Sequence, residues 1–351
     1  MDEIVDVHNL DSSPDSADLE EQILSEAIGT TLYSKHWVLS SVLELSQVKN
    51  SSDLADDLDA KMASLVDMSV EPDVCRFLQQ IGAFQIFLSH LVTNPQCSRS
   101  QELIMCLLAN SVHVSDLSCC VFIQDTSYVL VAQNILLRSS SVDVIKSVFV
   151  FLNAFLGQAI ALDEPELMGL DLFLAEEFVQ VVSYLLNASV NVQLLHELVK
   201  FLLHFFEAAF ETREDFMESR YFSSEFLLSV REAFQQVLSD AKVSFLFLEL
   251  LGQVSKESNL ANNGQLILDT LTDYAKAGDE SLEVGAIGTI GKICSIAWSI
   301  GPHEASFTFM KQISLRLKDT HPNNANEEAL GCIVSQILND YEKRYPPQGS
   351  S

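Results

Sequence analysis

Three stretches of this chain can be laid one under another: FLSHLVTNPQCSRSQELIMCLLANSV, VAQNILLRSSSVDVIKSVFVFLNAFL and VVSYLLNASVNVQLLHELVKFLLHFF. Each reads as an apolar helix, a short polar break rich in Ser, Asn or Pro, and a second, longer apolar helix. Corresponding leucines stand at Leu91, Leu136 and Leu185, spacings of 45 and 49 residues. A helix pair with apolar residues on several faces cannot hide them alone, whereas stacked neighbours can. Composition agrees. Only 13 Gly and 8 Pro punctuate 351 residues, few for a chain of strands and tight turns.

A period of about 40–47 residues is that of armadillo and HEAT repeats. The expected fold is therefore all-α: an armadillo/HEAT-like, right-handed superhelical solenoid behind a disordered acidic N-terminal tail. Changes of tone along the chain set the boundaries. They are a disordered acidic tail over 1–20, N-terminal capping helices over 21–48 and an acidic linker over 49–70. An armadillo-like helical repeat domain follows over 71–345, then a disordered tail over 346–351. Within the linker, KNSSDLADDLDAKMASL turns helical toward Met62. Pro72 suits a helix start, where its missing N–H costs nothing. The C-terminal third is less regular, but EFLLSVREAFQQVL, KVSFLFLELLGQV, GQLILDTLTDYAK, EVGAIGTIGKICSIAWSI, SFTFMKQISLRL and EEALGCIVSQILNDYEK all read as helices. SCCVFIQDTSYVLV has strand-like content. A loop and helix start is preferred there, capped by Asp125 or Thr126.

The charge is one-sided: 49 Asp plus Glu face 20 Lys plus Arg, a formal −29. Such a surface repels phosphate backbones and anionic lipid, so neither nucleic acid nor membrane is an expected partner. Basic segments of other proteins are the natural partners. The alternative is that the acidity serves solubility alone. Residues 1–73 hold seventeen acidic residues and three Lys, a net −14. The N-terminus has no positive region of the kind a secretory signal needs. Uninterrupted apolar runs fall short of the ~18 residues of a membrane span. Seven scattered Cys, an odd number, read as reduced thiols of a nuclear or cytosolic protein.

Motifs of catalysis and metal binding are missing. No phosphate loop, dinucleotide fingerprint, nucleophile elbow or zinc-protease helix occurs. GAIGTIGK, Gly285 to Lys292, repeats small residues every third position, which suits close helix packing. Cys119-Cys120 is vicinal, without the spacing that lets two thiolates share a tetrahedral zinc. DLADDLDAK lacks the central Gly of a calcium loop, and Ser64 stands where a bidentate Glu is needed. His196 and His204 lie roughly on one helix side with Glu197 and Glu207 nearby, but ordinary helix positions are preferred there over a metal site. No cofactor, metal or catalytic residue is expected, and the chain reads as a non-enzyme.

One constellation stands out. The second helices of the three aligned stretches carry Cys106 and Asn110, Phe149 and Asn153, and Lys200 and His204, each pair four residues apart and so on one helix face. These resemble the Trp-x-x-x-Asn pairs of armadillo peptide binders such as importin-α. In those proteins the planar amide hydrogen-bonds an extended peptide backbone and the indoles hold Lys stems. Here Cys and Phe replace Trp, and the third pair departs altogether. Buried or capping Asn in ordinary helices is the competing reading. The alternative function that the resemblance implies is an importin-like adaptor for basic peptide cargo.

The stretch IGTTLYSKHWVLS, Ile28 to Ser40, resembles the N-terminal signature of the serum amyloid A-like (synoviocyte-proliferation-associated) nuclear protein family. The likeness continues through DMSVEPDVCRFLQQIGAFQIFLSHLV, Asp67 to Val92, and CLLANSV, Cys106 to Val112. It is strong over residues 28–115 and weaker beyond. The resemblance implies an armadillo-type helical protein of the nucleus, without enzymatic activity and associated with cell proliferation. No Lys/Arg cluster here would serve as an import signal. Two readings of the stretch stay open. Tyr33 and Trp37 cap the first repeat, or Tyr33, Lys35, His36 and Trp37 form a partner-binding patch. On a helix, Tyr33 and Trp37 would share one side.

Overall fold

In a computed structural model of the chain, the structure describes residues 26–114, 125–161 and 170–257, together with Phe122 and positions 266, 267, 269 and 270. The expected tails over 1–20 and 346–351, the vicinal Cys119-Cys120, the stripe at Gly285 to Lys292 and the helices expected beyond residue 270 lie outside the described residues. The chain divides into two compact units, 1–118 and 119–351. The first holds α1 (Lys35–Gln47), α2 (Asp56–Met68), α3 (Pro72–Gln80), α4 (Ala83–Thr93) and α5 (Ser98–Val114). The second holds α6 (Ser127–Arg138), α7 (Val142–Ala161), α8 (Leu170–Leu174), α9 (Glu176–Ala188), α10 (Val192–Thr212), α11 (Ser224–Gln236) and α12 (Ala241–Glu257). Two 3-10 turns, Phe216–Glu218 and Arg220–Phe222, link α10 to α11. Extended pairing among the described residues is confined to one isolated antiparallel bridge, Ala27 to Ser34. The protein is all-helical over everything described.

Local chemistry sets the helix ends. Ser34 accepts the Trp37 N–H at 3.3 Å and opens α1. Asn191 accepts the Leu194 N–H at 2.9 Å and opens α10. Both satisfy donors that a helix start leaves unpaired. Pro72 takes the first position of α3. Gly82, at φ 68°, reverses the chain between α3 and α4. Asp125 rather than Thr126 serves α6: its carboxylate accepts the Ser127 N–H at 3.0 Å, whereas Thr126 makes no side-chain cap. The helices expected over EFLLSVREAFQQVL and KVSFLFLELLGQV are α11 and α12.

The acidic linker expected over 49–70 is corrected. Residues 56–68 form α2, which buries Leu58, Met62, Leu65 and Met68 and packs on α5. Its acids are the reason the sequence misleads. Asp56, Asp57 and Asp59 crowd the first turn, where negative charge complements the helix dipole. What reads as a solvated link is an acid-started helix with an apolar stripe.

In the second unit, α7 and α10 pack along one another, α10 also packs on α12, and α6, α9 and α11 pack in that order. By length and composition alone α7 could cross a membrane. Here 67% of that stretch is buried inside the fold. A run of aromatic rings fills the interior. Phe173 lies 5.2 Å from both Phe178 and Phe201, and Phe201 stacks on Phe205 at 5.9 Å. Fully buried Tyr221 donates its hydroxyl to the Phe173 carbonyl at 2.8 Å, and burial pushes the pKa of that hydroxyl well above its ordinary value.

Side-chain bonds between elements recur at one interval. Asn94 reaches Val48, Asn110 reaches Val66, Gln133 reaches Leu172, Asn153 reaches Glu197, Asn187 reaches Ser229 and Tyr221 reaches Phe173. The partners are 39 to 48 residues apart. The aligned leucines are spaced by nearly the same interval.

Removing a ring from the aromatic run is expected to cost far more than trimming an exposed leucine. Phe201→Ala should lower the unfolding free energy by about 3–5 kcal/mol. Exposed Leu39→Ala should change it by about 0.5 kcal/mol or less. Urea denaturation of both variants checks this.

Candidate protein-contact sites

The stretch Ile28 to Ser40 begins with a clasp. Ile28 is 2% exposed, and its N–H donates to the Tyr33 carbonyl at 2.9 Å. The Thr31 N–H and hydroxyl return to the Ile28 carbonyl at 2.9 and 2.7 Å, closing a turn. Gly29 sits at φ 56°, the left-handed region that glycine adopts without steric cost. A Cβ there would also fall 2.0 Å from the Asp73 Oδ2. Asp73, in the first turn of α3, accepts the Thr30 N–H at 2.9 Å and the Thr30 hydroxyl at 3.3 Å. Arg76 pairs with its other oxygen at 2.9 Å. The Thr30 N–H first, and then Arg76, hold the Asp73 carboxyl below its usual pKa against the opposing effect of desolvation.

Beyond the clasp the chain becomes α1. Tyr33 precedes its capping residue, so Tyr33 and Trp37 do not share a helix side. That expectation is corrected. Tyr33, Lys35 and His36 are exposed and Trp37 is half-buried. Leu32, 98% exposed, and the exposed Leu39 and Leu43 add apolar surface near them.

The paired positions on the second helices divide. The Asn110 amide donates to the Val66 carbonyl at 3.1 Å and the Ser69 hydroxyl at 3.0 Å, at the C-terminal end of α2. Cys106, one turn earlier, is half-buried. Asn153 is 3% exposed, and its amide donates to the Glu197 carbonyl and to the Glu197 Oε2, both at 2.9 Å. Both partners are acceptors, so the nitrogen must face them. Its Oδ1 is buried without a hydrogen-bond partner. The other Glu197 oxygen lies 3.0 Å from His196 Nδ1. Phe149 is fully buried 5.5 Å from Phe201, so it is a core ring and forms no surface slot for a Lys stem. Lys200 and His204 are half-buried on α10. The His204 ring rests against Gly157, where a Cβ would lie 3.5 Å from its Cε1. Burial, then neighbouring Lys200, lower the His204 pKa, while Glu197 opposes them.

The structure thus gathers Asn153, Glu197 and His204 at the α7–α10 seam and commits the amides of Asn110 and Asn153 to neighbouring helices. No group of three or more His, Cys, Asp or Glu could hold a metal ion among the described residues. Cys75 is buried and donates to the Ser69 carbonyl at 3.0 Å. Burial raises its pKa, so the thiol stays protonated and unreactive.

Sequence reasoning missed a second polar pair. His90 and Asn94 are buried on α4 and at its end. Asn94 donates to the Val48 carbonyl at 3.1 Å and accepts the Ser51 N–H at 3.2 Å. His90 Nδ1 lies 3.3 Å from both the Leu45 carbonyl and the Asn94 amide nitrogen. Together they tie down the end of α1. The signal was present: His90 and Asn94 stand four apart at the end of an apolar-faced helix, the same interval as Cys106 to Asn110 and Phe149 to Asn153.

These features define a class: a protein all-helical over its described residues, whose elements are pinned to one another by side-chain amides and whose helix α1 is introduced by a clasp. Comparison with known proteins adds a partial likeness. No family model matches the chain. Over part of its length the chain is similar to protein SAAL1, serum amyloid A-like 1. It is 32% identical to the Mus musculus protein over 108 residues, covering 27% of this chain and 23% of that protein. With the Homo sapiens protein it shares 35% identity over 98 residues, 24% of this chain and 20% of its relative. With the Danio rerio protein it shares 31% over 106 residues, 28% and 22%. The match therefore spans less than a quarter of these relatives' own length.

Two outcomes follow from the polar pairs. Asn110→Ala should lower the stability of the first unit by about 1–2 kcal/mol in chemical denaturation. Burial depresses the His90 pKa, with the Leu45 carbonyl opposing it, so the folded state takes up a proton less readily than the unfolded one. Stability is then complete above the ordinary His range and falls as pH drops through it. Thermal melts from about pH 7.5 down to about pH 5 should show this loss, and His90→Gln should reduce it, leaving the share that His204 contributes in the same sense.

Proposed function

We propose that this chain is a non-enzymatic, armadillo-like helical-repeat scaffold that binds other proteins in the nucleus and takes part in promoting cell proliferation. The observation that carries the repeat architecture is the interval of the inter-element bonds. Partners 39 to 48 residues apart are what a stack of helix pairs at that period brings together. The nuclear setting and the link to proliferation rest on the resemblance of residues 28–115 to the serum amyloid A-like nuclear protein family. The formal charge of −29 favours partners that present Lys/Arg-rich segments.

The importin-like alternative is less well supported. It needs side-chain amides open to a peptide, and the amides of Asn110 and Asn153 already serve neighbouring helices.

Affinity purification of the full chain from cell nuclei, followed by reconstitution with each recovered partner, tests the proposal. Binding is expected to weaken steeply as salt is raised and to vanish when the partner's basic segment is charge-reversed. Salt-independent binding would refute the electrostatic part. Failure to recover any direct partner would refute the scaffold reading.

A further inference from the structure

We propose that Thr30 is a phosphorylation site and that its modification opens the clasp over residues 26–34. The clasp is fastened to α3 through one carboxylate. Asp73 Oδ2 receives both the Thr30 N–H at 2.9 Å and the Thr30 hydroxyl at 3.3 Å. Of the other aliphatic hydroxyls here, that of Thr31 donates inward to the Ile28 carbonyl at 2.7 Å and that of Ser34 caps α1; the exposed Tyr33 phenol is not part of the latch on Asp73. Thr30 is exposed, and its hydroxyl lies at the latch.

A protein kinase would transfer the γ-phosphoryl group of ATP to Thr30 Oγ1. The bond from phosphorus to the ADP oxygen breaks, the Oγ1–phosphorus bond forms, and the hydroxyl proton leaves to the kinase's base. The donor to Asp73 is lost, and a group carrying nearly two negative charges takes its place beside a carboxylate. Rotation about the Thr30 Cα–Cβ bond can swing the phosphate outward, but the Thr30 N–H holds the residue's backbone against that same oxygen, so the two anions stay close neighbours while the clasp is shut. Arg76 does not restore balance: its single charge is already paired with Asp73 at 2.9 Å and would be divided between two anions. The turn cannot relax locally either, since Gly29 lies against the same carboxylate. The clasp therefore lifts as a unit and uncovers the seat of buried Ile28.

The chain provides its own readout. Lys35, the first Lys or Arg in the sequence, follows the clasp at the start of α1. In the full chain, Thr30→Glu should speed tryptic cleavage after Lys35 about tenfold, and uncharged Thr30→Val should speed it less. In an Asp73→Asn background, Thr30→Glu should add nothing, because the carboxylate it acts on is gone. Protein purified from cells should carry a phosphoryl group on Thr30 within the tryptic peptide 1–35, localised by fragmentation mass spectrometry. The proposal is overturned if Thr30→Glu cleaves at the wild-type rate, if its effect persists unchanged in the Asp73→Asn background, or if Thr30 is never phosphorylated. Should Thr30→Glu unfold the first unit outright, the Asp73→Asn background decides, since there the added substitution must be harmless.

Discussion

The contact between α7 and α10 shows how this protein is held together, because it separates strength from register. Strength comes from rings: Phe149 of α7 against Phe201 of α10, with Phe205 stacked behind Phe201 on the same helix. Each fully buried aromatic contributes about 2–3 kcal/mol by removal from water. Register comes from Asn153, whose amide meets both a backbone carbonyl and a carboxylate of Glu197. Such a bond adds only about 1 kcal/mol net, but sliding the helices by a turn would strand a buried amide, which costs about 1–3 kcal/mol. The rings tolerate several alignments and the amide tolerates one. Asn110 of α5, bonded to the end of α2, and Asn94 after α4, bonded to the end of α1, apply the same rule in the first unit.

Charge follows a second rule. The acids that dominate the N-terminal fifth are not only a solvating coat. Asp56, Asp57 and Asp59 start α2, and Asp73 starts α3 while fastening the clasp. Asp59 also pairs with Arg99 on α5 at 2.7 Å, and Glu44 with Lys61 at 2.8 Å. With few cations available, several of those present are placed between helices. Exposed pairs of this kind add little strength, so their main effect is on which faces meet.

How much of this is legible in the sequence depends on distance along the chain. The helix pairs are legible because their signal is local: apolar spacing, polar breaks, a well-placed Pro72. The helix over residues 56–68 is hidden by its own acids, which imitate a linker until the stripe of Leu58, Met62, Leu65 and Met68 is seen to have a partner in α5. Asn110 and Asn153 can be picked out by their spacing, but not their targets, which lie 44 residues away in each case. Phe149 aligns with a slot-forming residue in pattern and is a core ring in space. Gly29 looks like an ordinary turn residue. Its second role, leaving room for Asp73, is written 44 positions downstream.

The length of α7 bears on how the chain is made. A ribosome delivers Val142–Ala161 before Val192 emerges to begin the helix that packs along it. For that interval the nascent chain displays a segment that targeting machinery could mistake for a membrane anchor. The preceding α6 can shield only one side. Its cover in the folded unit is in place only once α10 has been made and packed along it.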